Sequence, residues 1–199
     1  MVSNHWEISG VILSKAGMLS DQELIKGCSK NDRGAQKALY DQYAPKLMAV
    51  CRRYAKSMQE AEDILQESYI KIFRSVKDFR GDSQLYYWMK RITVNTALNS
   101  QRSKLYLFPM VDVQEVVIPS TKELALQDYK LNDLMNMISE LPDGCRVIFN
   151  LYAIEGYNHR EIAKMLEVSE GTSKSQYARA RQLLMARLDK EEKNYGNLR

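Results

Sequence analysis

Histidine, cysteine, proline and glycine are all scarce in this chain of 199 residues, and each scarcity excludes something. The two histidines, His5 and His159, lie far apart in sequence, and Cys28, Cys51 and Cys145 contain no Cys-X-X-Cys pair. A zinc site needs about four well-spaced ligands, so no metal or other cofactor is expected. Three scattered cysteines make no disulfide framework, and a reducing cytoplasm fits them. Cys51 and Cys145 stand within apolar patterns and are expected as small core residues. Four prolines and nine glycines are few for a turn-rich sheet protein, and Glu, Lys and Arg recur in helix-period patterns, so an all-α fold is expected. The longest apolar runs fall short of a membrane span, and Val11-Ile12-Leu13 is too short for a secretory signal core, so neither membrane insertion nor export is expected. With no nucleophile motif, no phosphate loop and no credible partner for either histidine, the chain does not read as an enzyme.

What is present is the composition of a soluble globular chain, 45% hydrophobic and 27% charged, with room for one large domain or two small ones. Net charge is +4, unevenly spread. Residues 1–100 carry 15 basic and 11 acidic side chains, residues 101–141 carry 4 and 6, and residues 142–199 carry 10 and 8. Two basic blocks flank an acidic stretch, which suits either solvated helix faces or a protein that meets a polyanion at two places.

Residues 1–18 lack helical period and are expected as a flexible extension. Order begins at Ser20, where Ser20-Asp21-Gln22-Glu23 forms a capping box. Helical patterns cover about 20–28, 31–56, 59–77 and 83–104, with Pro45 expected to kink or divide the second. Pro109, Pro119 and Val116-Val117-Ile118 break the pattern, marking a linker over 104–120. A second capping box, Ser120-Thr121-Lys122-Glu123, opens the second half. Helices are expected there at about 121–139, 142–154, 158–166 and 170–190, followed by a tail over 191–199. Pro142 suits a first helical turn and Gly156 a helix stop.

Residues 156–185 look like a helix-turn-helix. Asn158 with Glu161 caps the first helix, Ile162, Ala163 and Leu166 form its inward stripe, Val168 plugs the turn, and Ser169 caps the second helix. Ala163 is small enough to let the two helices cross closely. On the second helix Ala178, Leu183 and Leu184 continue inward. Thr172, Ser173, Lys174, Gln176, Arg179 and Arg181 are expected to face outward, with the cationic and amide chemistry that phosphates and base edges require. Glu167 stands in the turn where such motifs commonly have glycine, so a strained or differently shaped turn is expected.

In the first half, Ile64, Leu65, Tyr69, Ile72, Phe73 and Val76 share one helical face, and Asp63, Gln66, Glu67, Ile70 and Arg74 share another. A face of carboxylates, an amide and an isoleucine suits docking onto a basic partner helix. The segment Asp63–Arg74 is similar to the helix by which sigma factors grip the polymerase clamp. Phe79-Arg80-Gly81-Asp82-Ser83, followed by Trp88-Met89-Lys90-Arg91-Ile92 and Asn95-Thr96-Ala97, resembles the promoter-melting segment of extracytoplasmic-function sigma factors. With the helix-turn-helix last, the resemblance spans about residues 20–103 and 121–190.

The resemblance implies two small helical domains: sigma region 2 over 19–103, docking on polymerase and melting the minus-ten element, and sigma region 4 over 121–190, reading the minus-thirty-five element. Core RNA polymerase would be contacted at its beta-prime clamp helices, through Asp63, Gln66, Glu67, Ile70 and Arg74, and at its beta flap. Phe79, Arg80, Gly81, Asp82 and Ser83 with Asn95 would form a pocket for a flipped non-template base. Tyr86, Tyr87, Lys90, Arg91 and Arg102 would hold neighbouring bases or phosphates, Trp88 would pack in the core, and an anti-sigma factor would be a further partner. The alternative reading is a stand-alone helix-turn-helix regulator with an N-terminal effector-binding domain, which leaves the Phe79–Ser83 loop and the Asp63–Arg74 face unused.

Overall fold

The computed structural model describes residues 19–105 and 131–196, with side chains described over 19–100 and 133–190. The extension over 1–18, most of the 104–120 linker, the Ser120 capping box, residues 121–130, the Arg102 side chain and residues 197–199 lie outside the described residues, whereas 191–196, expected as part of a tail, continue the last helix. Within them the ordered structure is helical, with no strand. The first half comprises α1 (Asp21–Ser29), α2 (Arg33–Tyr54), α3 (Met58–Ser75), a 3-10 turn (Val76–Asp78) and α4 (Leu85–Leu105). The second comprises α5 (Leu131–Ser139), α6 (Asp143–Phe149), a wide π turn (Asn150–Ile154), α7 (His159–Leu166) and α8 (Glu170–Gly196).

Local signals set the helix starts. The Glu23 amide donates to Ser20 Oγ at 3.3 Å while the Glu23 carboxylate accepts from the Ser20 amide at 2.8 Å. These bonds favour the ionised form and hold the Glu23 carboxyl below its usual range. Asp32 caps α2 through the Ala35 amide at 2.7 Å, and Ser57 caps α3 through the Glu60 amide at 3.1 Å. α1 and α2 meet at Gly27, where a Cβ would stand 2.4 Å from that of Ala35, so only glycine permits the approach. Pro45 does not divide α2. It sits exposed within one continuous helix, flanked by Ala44 and Leu47, whose burial holds both sides of the missing amide in register.

The inward stripes pack into two cores that do not follow the division of the chain into halves. Leu24, Leu39, Leu47, Ile64, Ile72, Leu85 and Met89 build the larger one, and Val147, Ile148, Leu151, Ile162 and Leu166 of the second half join it. The smaller core gathers Met137, Ile138, Leu141, Cys145, Phe149, Ala180, Leu184 and Leu188. α6 is therefore buried on both sides, with Val147 and Ile148 turned to one core and Cys145 and Phe149 to the other. The π turn suits this role, since its extra residue per turn re-aims the chain between the two cores. All three thiols are buried. Burial pushes each thiol pKa upward, that of Cys51 to about 12, which favours the neutral thiol over the thiolate.

Polar bonds cross between the halves as well. Asn150 Nδ2 donates to the Arg53 carbonyl at 2.8 Å, and Lys56 pairs with Asp143 at 2.7 Å. Arg146, with 4% of its surface exposed, donates to the Ser139 carbonyl and Asp143 at 3.1 Å each and reaches the Tyr54 carbonyl at 3.4 Å. Glu155 joins Arg53 at 2.6 Å and Lys90 at 2.5 Å.

Candidate nucleic-acid and polymerase interfaces

Helical period divides α3 as the sequence requires. Ile64, Leu65, Ser68, Tyr69 and Ile72 are buried, whereas Asp63, Gln66, Glu67, Ile70 and Arg74 are exposed. Ile70 keeps 51% of its surface in water, a large apolar side chain amid charges. Glu67 pairs with Lys71 at 2.7 Å, an exposed contact that holds the carboxylate weakly and leaves it exchangeable.

The loop after α3 is built around Gly81, whose φ of +79° is a left-handed conformation that suits glycine. Arg80, Gly81, Asp82 and Ser83 are exposed, and Phe79 is half-buried with its ring 5.2 Å from that of Trp88. Trp88 thus packs at the edge of the core beneath the loop, as its spacing implies. Along α4, Tyr87, Arg91 and Asn95 follow one another at intervals of one turn and are all exposed, while Leu85, Met89, Thr93, Val94 and Thr96 are buried. The hydroxyls of Thr93 and Thr96 bond back to the carbonyls of Met89 and Ile92 at 3.0 and 2.9 Å, which satisfies them inside the bundle. Tyr86 is half-buried beside Tyr43, and Lys46 lies 5.9 Å from both ring centroids. Lys90 differs from its neighbours, being turned into the contact with Glu155.

The helix-turn-helix forms as the caps imply. Asn158 and Glu161 make a reciprocal capping box, and the Thr172 amide donates to Ser169 Oγ at 2.9 Å at the start of α8. Glu167 adopts the left-handed conformation, φ 57° and ψ 43°, that glycine would take without strain. Two residues expected to face outward do not. Ser173 is fully buried, its Oγ 2.9 Å from His159 Nδ1, and Gln176 is 6% exposed, its Oε1 accepting from Cys145 Sγ at 3.1 Å. The inward stripe of α8 begins earlier than its apolar residues suggest, at Ser173 and Gln176 before Ala180 and Leu184, because α6 and α7 present polar groups there. Lys174 and Arg179 are exposed, and Thr172 and Arg181 are half-exposed. Burial, and next Lys174, hold the His159 pKa below its usual value, and its ring stacks 4.4 Å from that of Tyr152.

The polar seam between the halves escaped sequence reasoning. Arg53, Arg146, Asn150 and Glu155 look like ordinary residues of solvated helices, and no spacing in the sequence joins them.

Comparison with known proteins places both halves. Residues 39–105 match sigma-70 region 2 and residues 131–184 match sigma-70 region 4. The chain is 30% identical over 176 residues to the RNA polymerase sigma-H factor of Pseudomonas aeruginosa, covering 82% of this chain and 91% of that protein. It is 31% identical over 178 residues to the ECF RNA polymerase sigma-E factor of Salmonella typhimurium, covering 83% and 93%. The chain belongs to the extracytoplasmic-function sigma factors. Among solved structures it is similar to the sigma factor RpoE of Bartonella quintana in complex with the anti-sigma factor NepR, at TM-score 0.48 and 22% identity, covering 77% of this chain and 96% of that one. This sigma factor is thus a transcription initiation factor built of a region 2 and a region 4 domain, and the match over region 2 accounts for the half that a stand-alone regulator would leave unused. Among the described residues no helix is long and apolar enough to cross a membrane, and no group of three or more His, Cys, Asp or Glu is placed to hold a metal.

Proposed function

We propose that the sigma factor divides its work among three exposed surfaces. Asp63, Gln66, Glu67, Ile70 and Arg74 dock on the clamp helices of core polymerase. The Phe79–Ser83 loop with Tyr86, Tyr87, Arg91 and Asn95 captures single-stranded non-template DNA at the minus-ten element, and Lys90 joins them once released from Glu155. Thr172, Lys174, Arg179 and Arg181 hold the minus-thirty-five duplex, with Ser173 and Gln176 supporting their helix from within. The domains that carry this work run over 19–103 and 121–190. The protein acts in the cytoplasm, catalyses no reaction of its own, and is held in check by an anti-sigma factor.

The observation that carries the reading is the outward stripe of α4. Tyr87, Arg91 and Asn95 present an aromatic ring, a cation and an amide in a row beside a glycine loop. Those are the groups that stack on a base, neutralise a phosphate and pair with a base edge. Nothing in the fold calls for an exposed amide at Asn95, since asparagine is a poor helix former that costs up to about 0.7 kcal/mol against alanine. Asn95→Ala is therefore expected to preserve stability and polymerase binding while open-complex formation falls roughly tenfold. Permanganate footprinting on a duplex promoter and on the same promoter pre-melted by mismatches checks this. Normal melting by the variant would remove the base-pocket role and leave Asn95 a surface residue.

A further inference from the structure

The contact between region 2 and region 4 is more than apolar packing. The Glu155 side chain keeps 3% of its surface exposed, and its two oxygens take Arg53 and Lys90, themselves 16% and 21% exposed. One carboxylate thus neutralises two cations from α2 and α4 in a place that water scarcely reaches. Such pairs are screened little by salt, and removing the anion leaves two like charges facing each other. The seam is also imperfectly satisfied. Arg53 Nε, Arg146 Nε and Asn150 Oδ1 are buried there without hydrogen-bond partners, so closure withholds water from three polar atoms that opening would rehydrate. A contact assembled from strong pairs yet burdened with unmet polar groups is suited to open and close.

We propose that Glu155 is a latch that holds the two domains closed and keeps Lys90 from nucleic acid, and that single-stranded DNA phosphate competes with Glu155 for Lys90. The second part rests on the reading of α4 as a DNA-facing helix. The same ammonium cannot serve both partners. Closed, it neutralises Glu155; open, it stands one turn before Val94 and Asn95, beside the outward Tyr87 and Arg91. Glu155 is well placed to couple the two events. It directly precedes Gly156, with φ of +83°, and the Asn158 cap of the helix-turn-helix, so releasing it frees the region 4 reading unit as it frees Lys90.

The test uses the full chain without DNA first. Glu155→Arg should raise the radius of gyration in small-angle scattering. It should also speed amide exchange at least tenfold over 149–157 and 52–55, at unchanged helix content. The exchanged triad, Arg53→Glu and Lys90→Glu with Glu155→Arg, rebuilds one central charge between two of opposite sign and should restore the closed dimensions. Unaltered scattering and exchange in Glu155→Arg would overturn the latch, as would opening that the exchanged triad does not reverse, since that outcome is local unfolding. A fluorescent single-stranded oligonucleotide then tests the coupling. Glu155→Gln should bind it three- to tenfold more tightly than the unaltered chain, and Lys90→Ala should abolish that gain. Opening without tighter binding overturns the competition. No gain in Glu155→Gln together with indifference to Arg91→Ala and Asn95→Ala would show that α4 does not face DNA, while leaving the scattering result for the latch intact.

Discussion

Region 2 and region 4 are both helical, yet they are stabilised differently. Region 2 buries long amphipathic helices against one another, and every inward stripe from α1 to α4 finds its partner within the same domain. Apart from α8, region 4 has shorter helices, its own core is smaller, and it commits Val147, Ile148, Leu151, Ile162 and Leu166 to its neighbour's core. The reason is scale. Short helices bury too little surface to stabilise themselves, so a seven-residue helix such as α6 forms because it is packed on both sides. Region 2 is therefore expected to tolerate loss of the contact between domains better than region 4.

The largest effect should come from splitting the two cores. Ile148 is fully buried in the shared core and Leu184 in the region 4 core. Truncating either to alanine should cost about 2–5 kcal/mol, because a cavity is added to the lost burial. The distinction lies in where the damage spreads. In amide exchange, Ile148→Ala should speed opening in α2 and in α7, whereas Leu184→Ala should leave α2 and α3 unaffected. Equal effects on α2 would mean that the cores are one cooperative unit.

Gln176 sharpens the comparison at the next level. Because its amide lies inside region 4 against Cys145, Gln176→Ala should destabilise by about 1–2 kcal/mol and leave the salt dependence of duplex binding unchanged. Lys174→Ala and Arg179→Ala should do the opposite, sparing stability and reducing the salt slope by about one phosphate contact each. A salt slope altered by Gln176→Ala alone would return that side chain to the outward face of α8.

Glu167 offers a gain in place of a loss. A non-glycine residue in the left-handed region costs about 1 kcal/mol, so Glu167→Gly should raise the melting temperature of region 4 by a few degrees without touching region 2. A lowered melting temperature would show that the Glu167 side chain contributes more than its backbone costs.

The smallest effect is a dependence on pH confined to region 4. The folded His159 pKa lies below the ordinary histidine value of 6.5, so the unfolded chain binds more protons as pH falls through that value. Stability should be full above about pH 6.5 and decline below it, and His159→Phe should flatten that decline. A decline of the same size in the variant would assign the dependence to other groups.

Much of this molecule was legible because its signals are local. A capping serine and a glutamate three residues on fix a helix start whatever surrounds them, which is why Ser20 and Asn158 could be read directly. Period alone likewise separates Asp63, Glu67 and Ile70 from Ile64, Leu65 and Tyr69. The outward stripe of α4 was readable for the same reason, since the exposure of Asn95 follows from its position opposite the buried stripe.

Period says which residues share a face but not what the face will meet, and there the tertiary structure decided. Ser173 and Gln176 lie in line with Ala180 and Leu184, and they turned inward because His159 and Cys145 met them with polar groups. Arg146, Asn150 and Glu155 are polar residues on short elements, and from sequence they belong to water. They became a buried seam only when α6 packed between two cores and brought Arg53 and Lys90, distant in the chain, within bonding reach. The sequence by itself determined the helices, their caps and their two-sided character. Burial of charge needs a partner supplied from far along the chain, so which charges were buried, and against what, was settled only by the packing of one domain on the other.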